Sequence, residues 1–234
     1  MAGSQSERQV QREMKKRAIS GRLITVSDPT SAASEAYRIL RTGLLFARVD
    51  TPPRVIVVTS PGSAEGKSTI CANLGVVLAQ AGKSTLIMDC DFRRPVMHEI
   101  FGLTNTRGMT DALLEEHSLQ GIYQEPLPDL DLKVLTVGPV PPNPAELLSS
   151  QRFSEFLASV RDRFDYVLMD SSPTGLVSDP TILATQADGV LLTLDAQRTR
   201  KGEIRRAVRS LRAVGANVLG TVMNNARGSK GGYY

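Results

Sequence analysis

Short apolar runs alternate with longer stretches of helical spacing along most of the chain. Residues 54–60 (RVIVVTS), 84–91 (STLIMDCD), 131–137 (DLKVLTV), 164–170 (FDYVLMD), 188–196 (DGVLLTLDA) and 217–224 (NVLGTVMN) are rich in aliphatic and β-branched side chains. Such runs suit strands covered on both faces. Helical patterns fill the gaps. One follows the loop after residue 60 and runs to about 81, where Gly82 ends it. Another covers about 144–163, opened by Asn143 as N-cap, Pro144 in the first turn and Glu146 as capping-box partner. Two more lie near 179–187 and 201–214. Ahead of the alternation, 31–48 (SAASEAYRILRTGLLFAR) sets Ile39, Leu40, Leu44 and Leu45 on an apolar face, and the segment Asp50-Thr51-Pro52-Pro53 breaks it. Strands alternating with helices predict an α/β fold, a mostly parallel sheet flanked by helices on both faces.

Length and composition narrow the class. At 234 residues, 41% hydrophobic and 22% charged, the sequence is that of a globular domain with an ample core. The formal net charge of +4 is confined to one end: residues 1–22 carry six basic side chains against Glu7 and Glu13, and 23–234 are balanced. That distribution excludes a globally basic nucleic-acid-binding domain. No apolar run approaches the roughly 18–20 residues of a membrane span, and the polar start has no signal-peptide core. Two cysteines, Cys71 and Cys90, make neither a disulfide framework nor a four-thiolate site, so a cytoplasmic location is expected.

The sharpest chemical signal joins strand 54–60 to a helix through PGSAEGKST (61–69). In a phosphate-binding loop, backbone N–H groups cradle phosphate oxygens at a helix N-terminus, a lysine reaches the β/γ-phosphates and a hydroxyl ligates Mg²⁺. Gly62, Ser63, Ala64, Glu65, Gly66, Lys67, Ser68 and Thr69 would form that cradle, with Pro61 where the first glycine usually stands. A magnesium nucleotide needs nearby carboxylates. The strand at 84–91 offers Asp89 and Asp91, and the strand at 164–170 offers Asp170. Ligands of open α/β sheets bind beyond the carboxyl ends of the strands, so these acids should converge on the loop as a phosphoryl-transfer site.

These residues resemble the bacterial tyrosine kinases, the P-loop autokinases of capsular and exopolysaccharide systems, from about residue 23 to 224. The resemblance rests on GSAEGKST (62–69), on LIMDCDFRRP (86–95), on YVLMDSSP (166–173) and on VPPNPAELLSSQRF (140–153). EAYRILR (35–41) matches a Glu-x-x-Arg-x-x-Arg pattern associated with ring-like self-assembly. The resemblance implies ATP and Mg²⁺ as cofactors, with Lys67, Asp89 and Asp91 catalytic. Ser68, Asp89 and Asp170 would hold the metal, directly or through water. Asp91 would orient or deprotonate a tyrosine hydroxyl, whose unperturbed pKa near 10 leaves little phenolate at neutral pH. Glu35, Arg38 and Arg41 would form an oligomer interface, and Tyr233 and Tyr234 would accept phosphate from a neighbouring subunit. Ser172 stands where that family commonly has proline.

The organisation expected is therefore a basic arm (1–22), a kinase domain (23–225) comprising an assembly helix (31–48) and a nucleotide-binding core (54–225), and a tail (226–234) carrying the acceptors. The resemblance further implies a transmembrane polysaccharide co-polymerase acting as activator through its cytoplasmic tail, protein tyrosine substrates and a cognate phosphotyrosine phosphatase. Recruitment to the inner face of the cell membrane follows, assisted by the basic arm at about 1 kcal/mol per residue near an anionic surface. Nucleic acid is not an expected partner. Asn224, ending the last strand, is a candidate adenine contact or a turn cap. The segment 198–212, with seven basic groups and one acid, reads as a solvated helix face, and His98 and His117 as structural. The competing reading is a partitioning or positioning ATPase of the ParA/MinD type. Those usually carry an extra lysine early in the loop, absent from Ser60-Pro61-Gly62.

Overall fold

The six apolar runs form six parallel strands: β1 (Val55–Thr59), β2 (Thr85–Asp89), β3 (Leu132–Leu135), β4 (Tyr166–Asp170), β5 (Gly189–Asp195) and β6 (Val218–Asn224). They lie in the order β3-β2-β4-β1-β5-β6, all parallel, in a computed structural model that describes residues 21–46, 52–114 and 121–226. Outside those residues lie the arm up to residue 20, the end of the 31–48 segment, His117, and both Tyr233 and Tyr234.

Alternation along each strand explains the two layers. Val55 and Val57 of β1 point into one core and Ile56 and Val58 into the other. The first core is closed by α6 (Pro144–Leu148), α7 (Gln151–Arg161), α8 (Asp179–Ala184) and α9 (Lys201–Ala213), through side chains such as Leu148, Phe153, Leu183 and Leu211. The second is closed by α1 (Ile24–Ser27), α2 (Ala32–Leu45), α3 (Lys67–Gln80) and α4 (Met97–Phe101). A further short helix, α5 (Met109–Leu114), packs on the first core through Met109 and Leu113. Each fully buried aliphatic side chain contributes about 1.5–3 kcal/mol.

Helix α3 has no solvent face over Ile70 to Ala79, which are all buried, because α1 and α2 cover the side turned away from the sheet, and two local expectations change elsewhere. Its approach to the sheet is close: a Cβ on Gly75 would meet Ile87 Cδ1 at 2.5 Å. The 144–163 pattern divides into two helices, since Ser150 takes an extended conformation and its side chain caps the second by accepting from Phe153 N–H. Asn143 does not cap α6 with its side chain; it donates instead to Glu146 Oε2 at 2.9 Å.

Buried Asn73 ties α1 to α3. Its Oδ1 accepts from the Thr25 N–H and hydroxyl, and its Nδ2 donates to the carbonyls of Arg22 and Thr69. An amide with all these partners satisfied is a stable occupant of a helix that has no solvent face.

Candidate active site

The loop between β1 and α3 turns on two residues of positive φ, Ala64 at 60° and Gly66 at 91°, the latter being the N-cap of α3. Gly66 is required twice over, because a Cβ there would also lie 2.0 Å from Asn224 Nδ2. Asn224 donates to the Glu65 carbonyl at 3.1 Å, so the end of β6 braces the loop. Glu65 turns its buried side chain away from the cradle, where Oε1 accepts from the Thr199 hydroxyl at 2.6 Å.

Lys67 opens α3 and extends among three carboxylates delivered by β2 and β4. Its Nζ lies 2.8 Å from Asp91 Oδ2 and 3.6 Å from Asp170 Oδ2, and donates to Ser68 Oγ at 3.0 Å. Burial disfavours the ammonium, but Asp170, Asp91 and Asp89 together outweigh that penalty and hold its pKa above the ordinary lysine value.

The three acids differ in what surrounds them. Asp89 is fully buried and accepts three backbone donors: Asp91 N on Oδ1 at 3.2 Å, and Val96 N and Met97 N on Oδ2 at 3.0 and 2.9 Å. Asp170 is equally buried, and no donor comes within 3.5 Å of its oxygens; its nearest polar neighbours are the Ser68 hydroxyl and Lys67 Nζ, the latter 3.6 Å from Oδ2. Asp91 accepts from the Ser172 hydroxyl at 2.8 Å and from Arg94 N at 3.2 Å, both on Oδ1. Burial first, then the charge of Asp170, pushes Asp89 well above the usual carboxylate range. Burial likewise raises Asp170, against the opposing pull of Lys67.

These positions bear on the expected metal ligands. The oxygens of Asp170, beside the Ser68 hydroxyl, are the donors a hard divalent cation takes. Asp89, expected to hold the metal directly or through water, accepts backbone amides on both oxygens, which also ties down the 90–97 loop. Among the described residues no group of three or more His, Cys, Asp or Glu forms a cage. Phosphate oxygens and water would complete the shell, the usual manner of Mg²⁺.

A cavity of about 380 Å³ opens over this cluster, lined by the loop residues, Asp91 and Val96, and also by Arg22 and Arg94. Sequence reading assigned neither arginine to the site. Arg22 was counted with the arm; Arg94 sits in the quoted 86–95 motif, the only signal that could have found it. A larger cavity, about 630 Å³, lies at the opposite ends of the strands beside Tyr123, Lys133 and Arg163 and shares no residue with the phosphate loop. Volume alone does not locate the chemistry.

The remaining candidates lie apart from the cluster. Glu35 and Arg38 pair with each other at 2.8 Å on the outer side of α2, while Arg41 turns inward and donates to the Val77 carbonyl at 3.1 Å. On α9, Arg205, Arg209 and Arg212 face solvent and Leu211 is buried, as the spacing implied. Cys71 and Cys90 are buried free thiols whose pKa burial raises, consistent with packing.

A glycine-capped loop at the start of a buried helix, with its lysine among strand-end acids, defines a P-loop nucleotide-binding protein. Residues 56–232 match the model of the CobQ/CobB/MinD/ParA nucleotide binding domain, and the chain belongs to that family. Within it the chain belongs to the bacterial tyrosine-protein kinases. It is 40% identical to tyrosine-protein kinase YwqD of Bacillus subtilis, over 91% of this chain and 90% of that one. It is 34% identical to the putative tyrosine-protein kinase CapB of Staphylococcus aureus, over 90% and 92%. The solved chimerical protein CapA2B2 superimposes with a TM-score of 0.84 at 36% identity, covering 88% of this chain and 91% of that one. Among the described residues no helix is long and apolar enough to cross a membrane.

Proposed function

We propose that this tyrosine kinase is an ATP- and Mg²⁺-dependent autokinase that phosphorylates Tyr233 and Tyr234 of a neighbouring subunit and so regulates capsular or extracellular polysaccharide synthesis or export. The observation that carries the reading is the pairing of Lys67 with Asp91 at 2.8 Å, with Asp170 behind them. A P-loop lysine that only bound phosphate would need no second strand-end acid in contact with it.

Backbone N–H groups of Gly62 to Thr69 hold the phosphates at the start of α3, and Lys67 neutralises charge on the transferred group. Ser68 and Asp170, with Asp89 directly or through water, would hold Mg²⁺, which when bound would neutralise charge on the phosphate oxygens. Asp89 keeps the 90–97 loop in place by accepting its amides. Asp91 accepts the phenol proton at Oδ2 as the tyrosine oxygen attacks. Asn224 fixes the loop from the β6 side, where an adenine ring would also approach.

Self-assembly through α2 is supported by Ile39 and Phe46, exposed at 63% and 72% beside the Glu35–Arg38 pair. Arg41, donating to Val77 within its own chain, would set the angle of that helix rather than reach a neighbour. The proposed partners are a transmembrane co-polymerase that activates through its cytoplasmic tail, further tyrosine substrates and a cognate phosphatase, at the inner face of the membrane.

Labelled ATP, Mg²⁺ and the activator's tail should place phosphate on Tyr233 or Tyr234 by peptide mapping, and Lys67→Met or Asp91→Asn should abolish it. Nucleotide hydrolysis with no tyrosine phosphate would sink the autokinase reading and favour a ParA/MinD-type ATPase.

A further inference from the structure

Asp91 sits on a loop, and a loop carboxylate needs something rigid to fix its aim. The backbone after β4 provides it. Residues 171–175 run alongside the entry to the phosphate loop: Ser171 N donates to Val58 O, Thr174 N to Ser60 O and Gly175 N to Pro61 O. Gly175 lies so close that a Cβ would stand 2.5 Å from the Pro61 carbonyl. Within this seam Ser172 is 2% exposed and held at both ends. Its carbonyl accepts from the Thr59 hydroxyl at 2.8 Å, and its own hydroxyl donates to Asp91 Oδ1 at 2.8 Å.

We propose that Ser172 is a positioning residue for tyrosine transfer, a rigid bridge from β1 that holds Asp91 Oδ1 and so keeps Oδ2 turned to Lys67 Nζ, 2.8 Å away, as the oxygen that takes the phenol proton once Lys67 turns to the transferred phosphate. This rests on the reading of Asp91 as the proton acceptor. With Ser172 and Arg94 N both on Oδ1, the carboxylate is fixed in torsion as well as in place. Arg94 N alone, at 3.2 Å, allows the group to turn and present both oxygens to Lys67. A small error in the aim of a reacting group lowers turnover without changing what binds. Ser172 does not line the nucleotide cavity, so nucleotide affinity should not report its loss.

The test measures tyrosine-transfer kcat and Mg-nucleotide Kd in the full chain for Ser172→Ala, Ser172→Cys, Ser172→Thr and Asp91→Asn. The Ala variant should lose about tenfold in kcat, the rate equivalent of one hydrogen bond to a charged group, with Kd unchanged. The Thr variant, which keeps the hydroxyl, should recover to within about twofold of wild type. The Cys variant, a weaker donor of similar size, should fall between and serves if Ala does not fold. Wild-type kcat in the Ala or Cys variant, or Thr no better than Ala, overturns the proposal, as does a Kd that weakens in step with kcat. If Asp91→Asn abolishes transfer while the Ala variant stays at wild type, only Ser172 loses its role. If Asp91→Asn transfers normally, the reading of Asp91 falls and the proposal with it.

Discussion

β2 and β4 lie side by side in register, and each ends on an aspartate. Asp89 is the direct partner of Asp170, both are fully buried, and each follows three aliphatic residues. Their surroundings are nevertheless opposite. After Asp89 the chain folds back on itself, and the amides of Asp91, Val96 and Met97 converge on the carboxylate. After Asp170 the chain runs off along the phosphate loop, with its amides directed at Val58, Ser60 and Pro61, and no backbone amide reaches the carboxylate, whose neighbours are the Ser68 hydroxyl and Lys67. Identical residues at matched positions thus acquire different work from the direction of the next few peptide units. One carboxylate is tied into its own loop by three amides; the other faces Lys67 and Ser68.

The largest effect that could break this comparison is in Asp170→Asn. Transfer should fall by about a hundredfold or more, the scale set by losing a clamp on a developing charge, while the denaturation midpoint moves little, because relief of a buried carboxylate offsets the loss of one partner of Lys67, which keeps Asp91 at 2.8 Å. Transfer assays paired with urea titrations would decide it; a large stability loss would make Asp170 structural as well. Asp89→Ala should behave in the opposite sense. Three buried N–H donors lose their acceptor, at a cost of about 2–4 kcal/mol read from urea unfolding, and activity falls because the loop carrying Asp91 loosens.

The smallest expected effect is in pH. Burial raises both carboxyl pKa values, so above about pH 4 the folded chain keeps protons that an unfolded chain has released. The contribution of this pair is therefore most favourable at low pH and declines as pH rises through the raised values. Melting curves of the metal-free protein should show that decline, and it should shrink without vanishing in Asp170→Asn, because Asp89 keeps the rise that its own burial causes. A slope unchanged in Asp170→Asn would assign it to other groups.

Much of this was legible in the sequence. The β-branched runs gave all six strands to within about two residues. Strands β1 to β5 are buried almost throughout, as strands covered on both faces should be, whereas β6, at the edge, is only partly buried, with Thr221 and Met223 exposed. The spacing of the Gly-Lys-Ser loop and the strand-end acids placed Lys67, Asp91 and Asp170 together, since parallel strands deliver their carboxyl ends to one edge. What escaped was decided by tertiary partners. Helix α1 is only four residues long, and Asn73 of α3 holds it in place. Helices α4 and α5 span five and six residues, too short for a period to declare itself. No periodicity distinguishes the satisfied Asp89 from Asp170, and nothing in Asp-Ser-Ser-Pro announces that the second serine reaches another strand's loop.

Asn73 gives the molecule a mechanical property. One side-chain amide donates both to the carbonyl of Arg22, where the N-terminal segment enters the fold, and to that of Thr69, in the first turn behind the phosphate loop. Arg22 also lines the cavity above that loop. Arg22 and the first turn behind the phosphate loop, 47 residues apart in sequence, are thus clamped to each other by a single planar group.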